Sequence, residues 1–177
     1  AALPPGLPPV VIVQHMPAYI TKPFADRLQQ LSRLRVDEAR DGELLEPGNV
    51  RLAEGGKHLL VERVGGQLRL RVNEGPRVNG HRPSVDVLFQ STAQAVKNRA
   101  IGVLLTGMGR DGAQGLLTMR RAGAYTFAQD EASSAIFGMP RAAIELGAVS
   151  EVVAPRHLPT RLIAALSTRS PAASAAR

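Results

Sequence analysis

The 177-residue chain contains no cysteine and no tryptophan. The absence of cysteine excludes disulfides, thiolate metal sites and a cysteine nucleophile, and it is typical of a reducing compartment, so we expect a cytoplasmic location. No apolar run approaches the ~20 residues of a membrane-spanning helix, so membrane insertion is not expected. No two histidines have the spacing of metal ligands, and we predict neither a metal nor another cofactor.

Aromatic side chains are also scarce, with two tyrosines and four phenylalanines. None of them is interleaved with a basic run, so a platform that stacks bases is not expected, and we predict no nucleic-acid partner. Lys and Arg outnumber Asp and Glu by 22 to 15, which gives a net charge of +7. This charge favours an acidic partner such as an acidic protein surface, unless it reflects only composition and solubility.

Strand-like and helix-like segments alternate along most of the chain. The run "PPVVIVQH" predicts a strand that is buried on both faces and ends at His15. Helical spacing follows from Thr21, its expected N-cap, to about Leu34, and a second helix is predicted over 84–98. Strand, helix, strand and helix then follow in order. This alternation predicts a modified doubly wound, mostly parallel α/β sheet with helices on both faces.

The segment between the first two helices has a different pattern. Short alternating runs are separated by turns, and "VERVGGQLRL" predicts a hairpin closed by Gly65 and Gly66. We therefore expect an antiparallel insertion in the parallel sheet. The length favours a single domain, which we place at 1–166, and the small polar tail 167–177 is expected to be disordered.

A glycine-rich turn follows the apolar run "AIGVLL". The segment "TGMGRDGAQGLL", residues 106–117, contains G-x-G-x-x-G between a strand and a helix, and Asp130 closes the next strand. This spacing is typical of dinucleotide-binding turns. Asp111 argues against that function, because its carboxylate would occupy the site that a pyrophosphate needs. On these residues alone, a dinucleotide-binding oxidoreductase remains an open alternative.

Two polar residues follow predicted strands and can lie over the same edge of a parallel sheet. His15 and Asp111 could form the base and the orienting acid of a nucleophilic triad. Each has a structural alternative: His15 could donate to a loop carbonyl, and Asp111 could cap the helix that begins near Ala113. Met108 could offer its backbone N–H to an oxyanion, or simply fill a gap in the loop.

The segment "NGHRPSVD" forms a compact polar turn before a helix. His81, Arg82 and Asp86 could bind a substrate carboxylate there, or they could cap and brace the helix, and the spacing favours the second interpretation. His58 lies in a strand-like run with no evident partner.

Four blocks, in this order, resemble the catalytic domain of CheB-type chemotaxis protein-glutamate methylesterases. They are "VIVQHMP", "GPRVNGHRPSVDVLF", "VLLTGMGRDGAQGL" and "QDEASSAIFGMPRAAIELGAVSEVV", and the resemblance runs from about Val10 to Val153. It implies a domain that hydrolyses glutamate γ-methyl esters on the cytoplasmic helices of chemoreceptors and that, in some members, deamidates receptor glutamines. His15 is then the general base and acid, Asp111 orients it, and Met108 supplies an oxyanion-hole N–H.

The resemblance also implies a residue that the chain does not contain. In this family the nucleophile is a serine in a G-x-S-T-G-G segment, upstream of the strand that ends in the histidine. The chain could be a fragment of a longer enzyme or a natural truncation. We favour a fragment and expect the serine, its turn and the first strand to lie upstream of Ala1. Ser133 and Ser134 in "EASS" match another family block and are not candidates for the nucleophile.

Family members also carry an N-terminal phosphorylatable receiver domain, which we expect to be a partner of this domain in the full-length protein. Without the serine segment, the alternative function is a catalytically silent receptor-binding domain.

Overall fold

The computed structural model describes residues 3–169. The strands in this range are β1 (Val10–Ile12), β2 (Arg35–Glu38), β3 (Asn49–Leu52), β4 (His58–Val64), β5 (Gln67–Asn73), β6 (Ile101–Leu104), β7 (Tyr125–Gln129) and β8 (Glu151–Val153). The α-helices are α1 (Ala18–Leu31), α2 (Val85–Val96), α3 (Ala113–Arg121), α4 (Met139–Glu145) and α5 (Leu158–Arg169), and a 3-10 turn over 97–99 follows α2.

The strands form two parallel sheets and one antiparallel hairpin. The parallel sheets have the orders β1-β3-β2 and β6-β7-β8, and β4 pairs with β5 in the hairpin. Gly65 and Gly66 close the hairpin with φ of 57° and 81°, as a two-residue type I′ turn requires. The expected α/β fold with a hairpin insertion is therefore confirmed. Although β2 and β3 lie in the segment expected to be antiparallel, they pair in parallel with their neighbours.

The burial predicted for the first strand was wrong. Its three residues are only half-buried, whereas a strand buried on both faces was expected. The reason is its place at an edge: within the described residues β1 pairs with β3 alone, so water reaches its other side.

The expected N-cap at Thr21 was also wrong. Helix α1 begins at Ala18, and its N-cap is Pro17, four residues before the expected position. Thr21 is fully buried inside the helix, and its hydroxyl bonds the carbonyl of Ala18 at 3.0 Å and Glu38 of β2 at 2.5 Å. A tertiary contact therefore satisfies the hydroxyl that capping would have used.

The main core forms where α2 packs against α3 and the hairpin. It is built from large apolar side chains such as Leu59, Leu88, Phe89, Leu116 and Met119, each worth roughly 1.5–3 kcal/mol when fully buried. Close contact of the two helices depends on Gly115, where a Cβ would lie 2.7 Å from the Cβ of Phe89. This packing brings the start of α2 beside the turn that precedes α3.

The C-terminal part of the chain continues as helix through residues 167–169. The remainder of the predicted disordered tail, 170–177, lies outside the described residues. Within 3–169, no helix combines the length and the apolar character that crossing a membrane requires.

Candidate active site

The two candidate triad residues meet at the carboxyl ends of the parallel strands. His15 follows β1 and Asp111 follows β6, and His15 Nε2 lies 2.8 Å from Asp111 Oδ2. The His15 side chain is 22% exposed, whereas that of Asp111 is completely buried. His15 therefore bonds a carboxylate and not the loop carbonyl of the structural alternative.

The carboxylate of Asp111 accepts several further hydrogen bonds. Ser84 Oγ donates at 2.6 Å, Asn79 Nδ2 at 3.0 Å and the backbone N–H of Val85 at 2.7 Å. Burial disfavours the charge, but the bonds from His15, Ser84, Asn79 and the Val85 N–H outweigh it and hold the pKa of Asp111 well below its usual range. The carboxylate is thus kept ionised.

Asp111 does not cap the helix that follows it. Helix α3 has no side-chain cap bond, and the carboxylate instead lies at the N-terminus of α2, where Val85 is the first residue. Gly112 makes this possible, because its φ of 89° is left-handed and a Cβ there would lie 2.6 Å from Val85 Cγ1. The glycine lets the chain turn into α3 while Asp111 faces α2.

Only one ring nitrogen of His15, Nε2, is hydrogen-bonded within the described residues. Because an ionised carboxylate can only accept, His15 donates through Nε2–H, and the neutral ring then has its lone pair on Nδ1. Nδ1 has no hydrogen-bond partner among the described residues. The orientation of this ring is therefore the reverse of that in a trypsin-like triad, in which Nδ1 and not Nε2 faces the carboxylate.

In the turn around Met108, which follows β6, one backbone N–H has no acceptor among the described residues. Its neighbours are fixed, since Gly107 N donates to Ile136 O at 3.1 Å and Met139 N donates to Gly107 O at 2.9 Å. Met108 itself is 72% exposed, and its N–H has no acceptor within the part of the chain that the structure describes. An oxyanion could accept this N–H.

The segment 79–86 contributes more to the site than the sequence indicated. Asn79 Nδ2 bridges Asp111 and the buried Asp86, which lies 2.7 Å away and also accepts the Gly115 N–H at 2.6 Å. Burial, opposed by these donors, raises the pKa of Asp86. His81 stacks on His15 with ring centroids 3.7 Å apart.

Two other predictions for this region were wrong. Arg82 does not brace the helix, because its Nη1 donates to the carbonyls of Glu74 and Gly75 in the preceding loop. His58 does have partners: it accepts the Ser84 N–H at Nδ1 and donates through Nε2 to Pro76 O. His58 thus holds the residue whose hydroxyl bonds Asp111. The Asn-Gly turn signal at 79–80 could have indicated how this segment folds, but not what it contacts.

The residues that favoured a nucleotide site have other roles. Asp130 is hydrogen-bonded to Ser133, and Ser134 Oγ donates to the Asp130 carbonyl at 2.7 Å. These contacts hold the loop after β7 and engage both hydroxyls. Among residues 3–169, no group of three His, Asp or Glu side chains is arranged to hold a metal ion.

Comparison with known proteins identifies the family. The family model described as CheB methylesterase matches residues 1–162. The chain belongs to the CheB methylesterase family. The Thermotoga maritima CheB methylesterase catalytic domain has a similar structure, with a TM-score of 0.89 and 38% identity, over 92% of this chain and 86% of that one.

Curated CheB relatives are more similar in sequence. A protein-glutamate methylesterase/protein-glutamine glutaminase of Yersinia pestis is 52% identical over 94% of this chain and 48% of its own length. One from Anaeromyxobacter dehalogenans is 54% identical over 93% of this chain and 45% of its own length. The chain therefore spans about half the length of the curated relatives it matches.

Proposed function

We propose that this chain supplies the histidine and the aspartate of a Ser-His-Asp triad that hydrolyses glutamate γ-methyl esters on chemoreceptors. The observation that carries the proposal is the 2.8 Å contact between His15 Nε2 and the buried carboxylate of Asp111. Membership of the CheB family and the names of the relatives support it. By the family resemblance, the nucleophile is a serine in a G-x-S-T-G-G segment, which residues 1–177 do not contain.

His15 acts through Nδ1 as general base and then as general acid. Nδ1 takes the serine hydroxyl proton as the oxygen attacks the ester carbonyl, and it returns that proton to the methoxide as the C–O bond breaks, so methanol leaves. Nδ1 then takes a proton from the water that attacks the acyl-enzyme. It gives this proton to the departing serine oxygen, which leaves a free glutamate.

Asp111 and Met108 stabilise the charges that develop in these steps. The ionised Asp111 accepts from Nε2–H, which fixes the tautomer with a free Nδ1 and stabilises the imidazolium. The exposed Met108 turn offers its N–H to the tetrahedral oxyanion. Asp111 is already hydrogen-bonded to His15 before the reaction, so little reorganisation of this pair is needed.

The same steps can deamidate glutamine, with ammonia leaving in place of methanol. The relatives' names include protein-glutamine glutaminase, which supports this second reaction. The proposed partners are the methylated cytoplasmic helices of chemoreceptors and, in the longer protein, a phosphorylatable receiver domain.

Methanol release from methyl-esterified receptor tests the proposal. The comparison is between this chain and an extended chain, defined as the same protein continued upstream through the G-x-S-T-G-G segment. We expect methanol only from the extended chain, because the serine is needed for acyl transfer. In the extended chain, His15→Gln should abolish release, while His157→Gln, a matched change at an exposed histidine, should leave it unchanged.

A different result identifies the alternative. If both proteins bind receptor but neither releases methanol or ammonia, the domain is a receptor-binding module. If His15→Gln keeps full activity, His15 is not the base.

A further inference from the structure

A second histidine lies against the proposed base. The rings of His15 and His81 are stacked, with centroids 3.7 Å apart and planes only 6° apart. Both side chains belong to half-buried residues. The family resemblance assigned no role to His81, and the mechanism above does not use it.

A rigid turn sets the position of His81. Val78 and His81 exchange backbone hydrogen bonds in both directions, at 3.0 and 2.9 Å. Between them, Asn79 and Gly80 have φ of 53° and 80°, as in a two-residue type I′ turn. The Asn79 side chain also bonds Asp111 at 3.0 Å. One turn therefore contacts both members of the His15–Asp111 pair.

The stack constrains a motion that the bond to Asp111 leaves free. A single hydrogen bond at Nε2 fixes one atom of the His15 ring, but the ring can still tilt about that atom. A parallel ring on one face opposes this tilt, so the direction of Nδ1 is set as well. Proton transfer is sensitive to this direction, because displacement of a reacting group by about 1 Å can cost 10²-fold in rate.

The charge on His81 matters for the same reason. An imidazolium at 3.7 Å from His15 would oppose the positive charge that His15 acquires as a base. The groups that act on His81 are His15 and Asp111 across the stack and Arg77 on its own segment. Burial, then His15, lower its pKa, Arg77 adds to this, and Asp111 alone opposes it. A positive charge on His15 therefore disfavours a second positive charge on His81.

We propose that His81 is a positioning residue for His15, whose stacked and uncharged ring fixes the plane of the base during ester hydrolysis. This rests on the proposed role of His15. It does not require that His81 contact the receptor.

Nuclear magnetic resonance titration tests the contact without the reaction. In this chain the four histidines can be assigned by single substitutions to Gln, and the midpoint of His81 followed with pH. We expect the pKa of His81 to rise in a His15→Asn variant, because a neighbouring positive charge is lost. An unchanged midpoint overturns the proposal. Asp111 remains in this variant, so its own effect is retained.

Kinetics of the extended chain test the role. His81→Ala should lower kcat on the order of 10- to 100-fold and leave KM for the receptor unchanged, because the ring orients the base and not the substrate. His81→Phe keeps a flat, uncharged ring and should restore most of kcat. Equal kcat in all three proteins overturns the proposal, and so does a change in KM alone.

The outcomes separate this proposal from the function on which it rests. If the unsubstituted extended chain releases no methanol, the proposed function fails, and the positioning role of His81 fails with it. If that chain is active but neither His81 variant alters kcat, only the role of His81 is overturned. Should His81→Ala not fold, His81→Gln gives the same kinetic comparison, and the titration of His81 still tests the contact between the two rings.

Discussion

Asp111 is a carboxylate whose side chain is completely buried. A completely buried carboxylate is costly unless donors surround it, and here the donors come from His15, from Ser84 and Asn79, and from the first turn of α2. They keep Asp111 charged, and a charged Asp111 is what an imidazolium at His15 requires. The same bonds tie the loop after β6 to the start of α2, so Asp111 contributes to stability as well as to the proposed chemistry.

Asp111→Asn in the extended chain tests the functional contribution. The amide removes the charge and can favour the wrong His15 tautomer, so kcat should fall by on the order of 10³- to 10⁴-fold, as in other triads. Methanol release is the measurement. Asp130→Asn, a matched change at the end of β7, should have little effect, and comparable losses in the two variants would contradict the assignment.

The stability contribution of Asp111 has a defined dependence on pH. Its pKa is lower in the folded chain than the ordinary 3.8, so the unfolded chain binds the proton more readily. The stabilisation is thus fully present above that value and is lost as the pH falls below it, through the folded pKa. The difference in free energy of unfolding between this chain and its Asp111→Asn variant should shrink below about pH 4. A difference that grows on acidification would contradict this sign.

At the scale of elements, the site depends on short turns more than on the helices and strands. The turn 78–81 carries the ring stacked on His15 and the amide bonded to Asp111. The turn after β6 carries Met108 and Asp111. Both are anchored to packed elements, which lets loops hold side chains in fixed positions.

A pair of glycine substitutions tests the turn 78–81. Gly80 and Gly66 occupy the same position in two type I′ turns, with φ of 80° and 81°, and neither position is sterically crowded. Each substitution to alanine should therefore introduce no steric clash. It should cost about 1–2 kcal/mol of stability, because alanine is strained at a left-handed φ. Only Gly80→Ala should also lower kcat of the extended chain, on the order of tenfold or more. Equal kcat values in the two variants would show that this turn does not orient the base.

At the scale of the whole molecule, two parallel sheets are held together mainly by side chains and loops. Within the described residues β1 pairs only with β3, and β6 pairs only with β7. Each sheet therefore has an unpaired parallel edge, and His15 and Asp111 follow these two edge strands. Unpaired edges leave backbone groups without sheet partners.

An upstream strand should stabilise this arrangement. We expect a higher urea midpoint for the extended chain than for this chain, because added strand pairing buries backbone groups and apolar surface. Equal midpoints in equilibrium unfolding would mean that the upstream segment pairs with neither edge. An extension of equal length with a scrambled sequence is the control.

The net charge of +7 also belongs to the whole molecule. If receptor helices rich in glutamate are the substrate, added salt should raise KM for the receptor. The reason is that the Debye length falls to about 3 Å at 1 M salt, which screens the attraction. Methanol release at several salt concentrations measures this. A short uncharged methyl-ester peptide should show no such increase, and an unchanged KM for the receptor would rule out electrostatic attraction.

Much of the fold could be predicted from local patterns. Alternating strands and helices indicated the parallel α/β class, and the Gly65-Gly66 pair indicated the hairpin, because these signals depend on neighbouring residues. The patterns failed where a contact between elements decided the outcome, as when Glu38 engaged the Thr21 hydroxyl.

By itself, the sequence determined which residues follow the parallel strands, and so brought His15 and Asp111 into consideration. Tertiary structure alone decided that His15 Nε2 faces the Asp111 carboxylate, that Asp111 lies at the start of α2, and that the His81 ring stacks on His15. The physical reason is sequence distance: His15 and Asp111 are 96 residues apart. Periodicity specifies the faces of one element, whereas these contacts arise only when separate elements pack together.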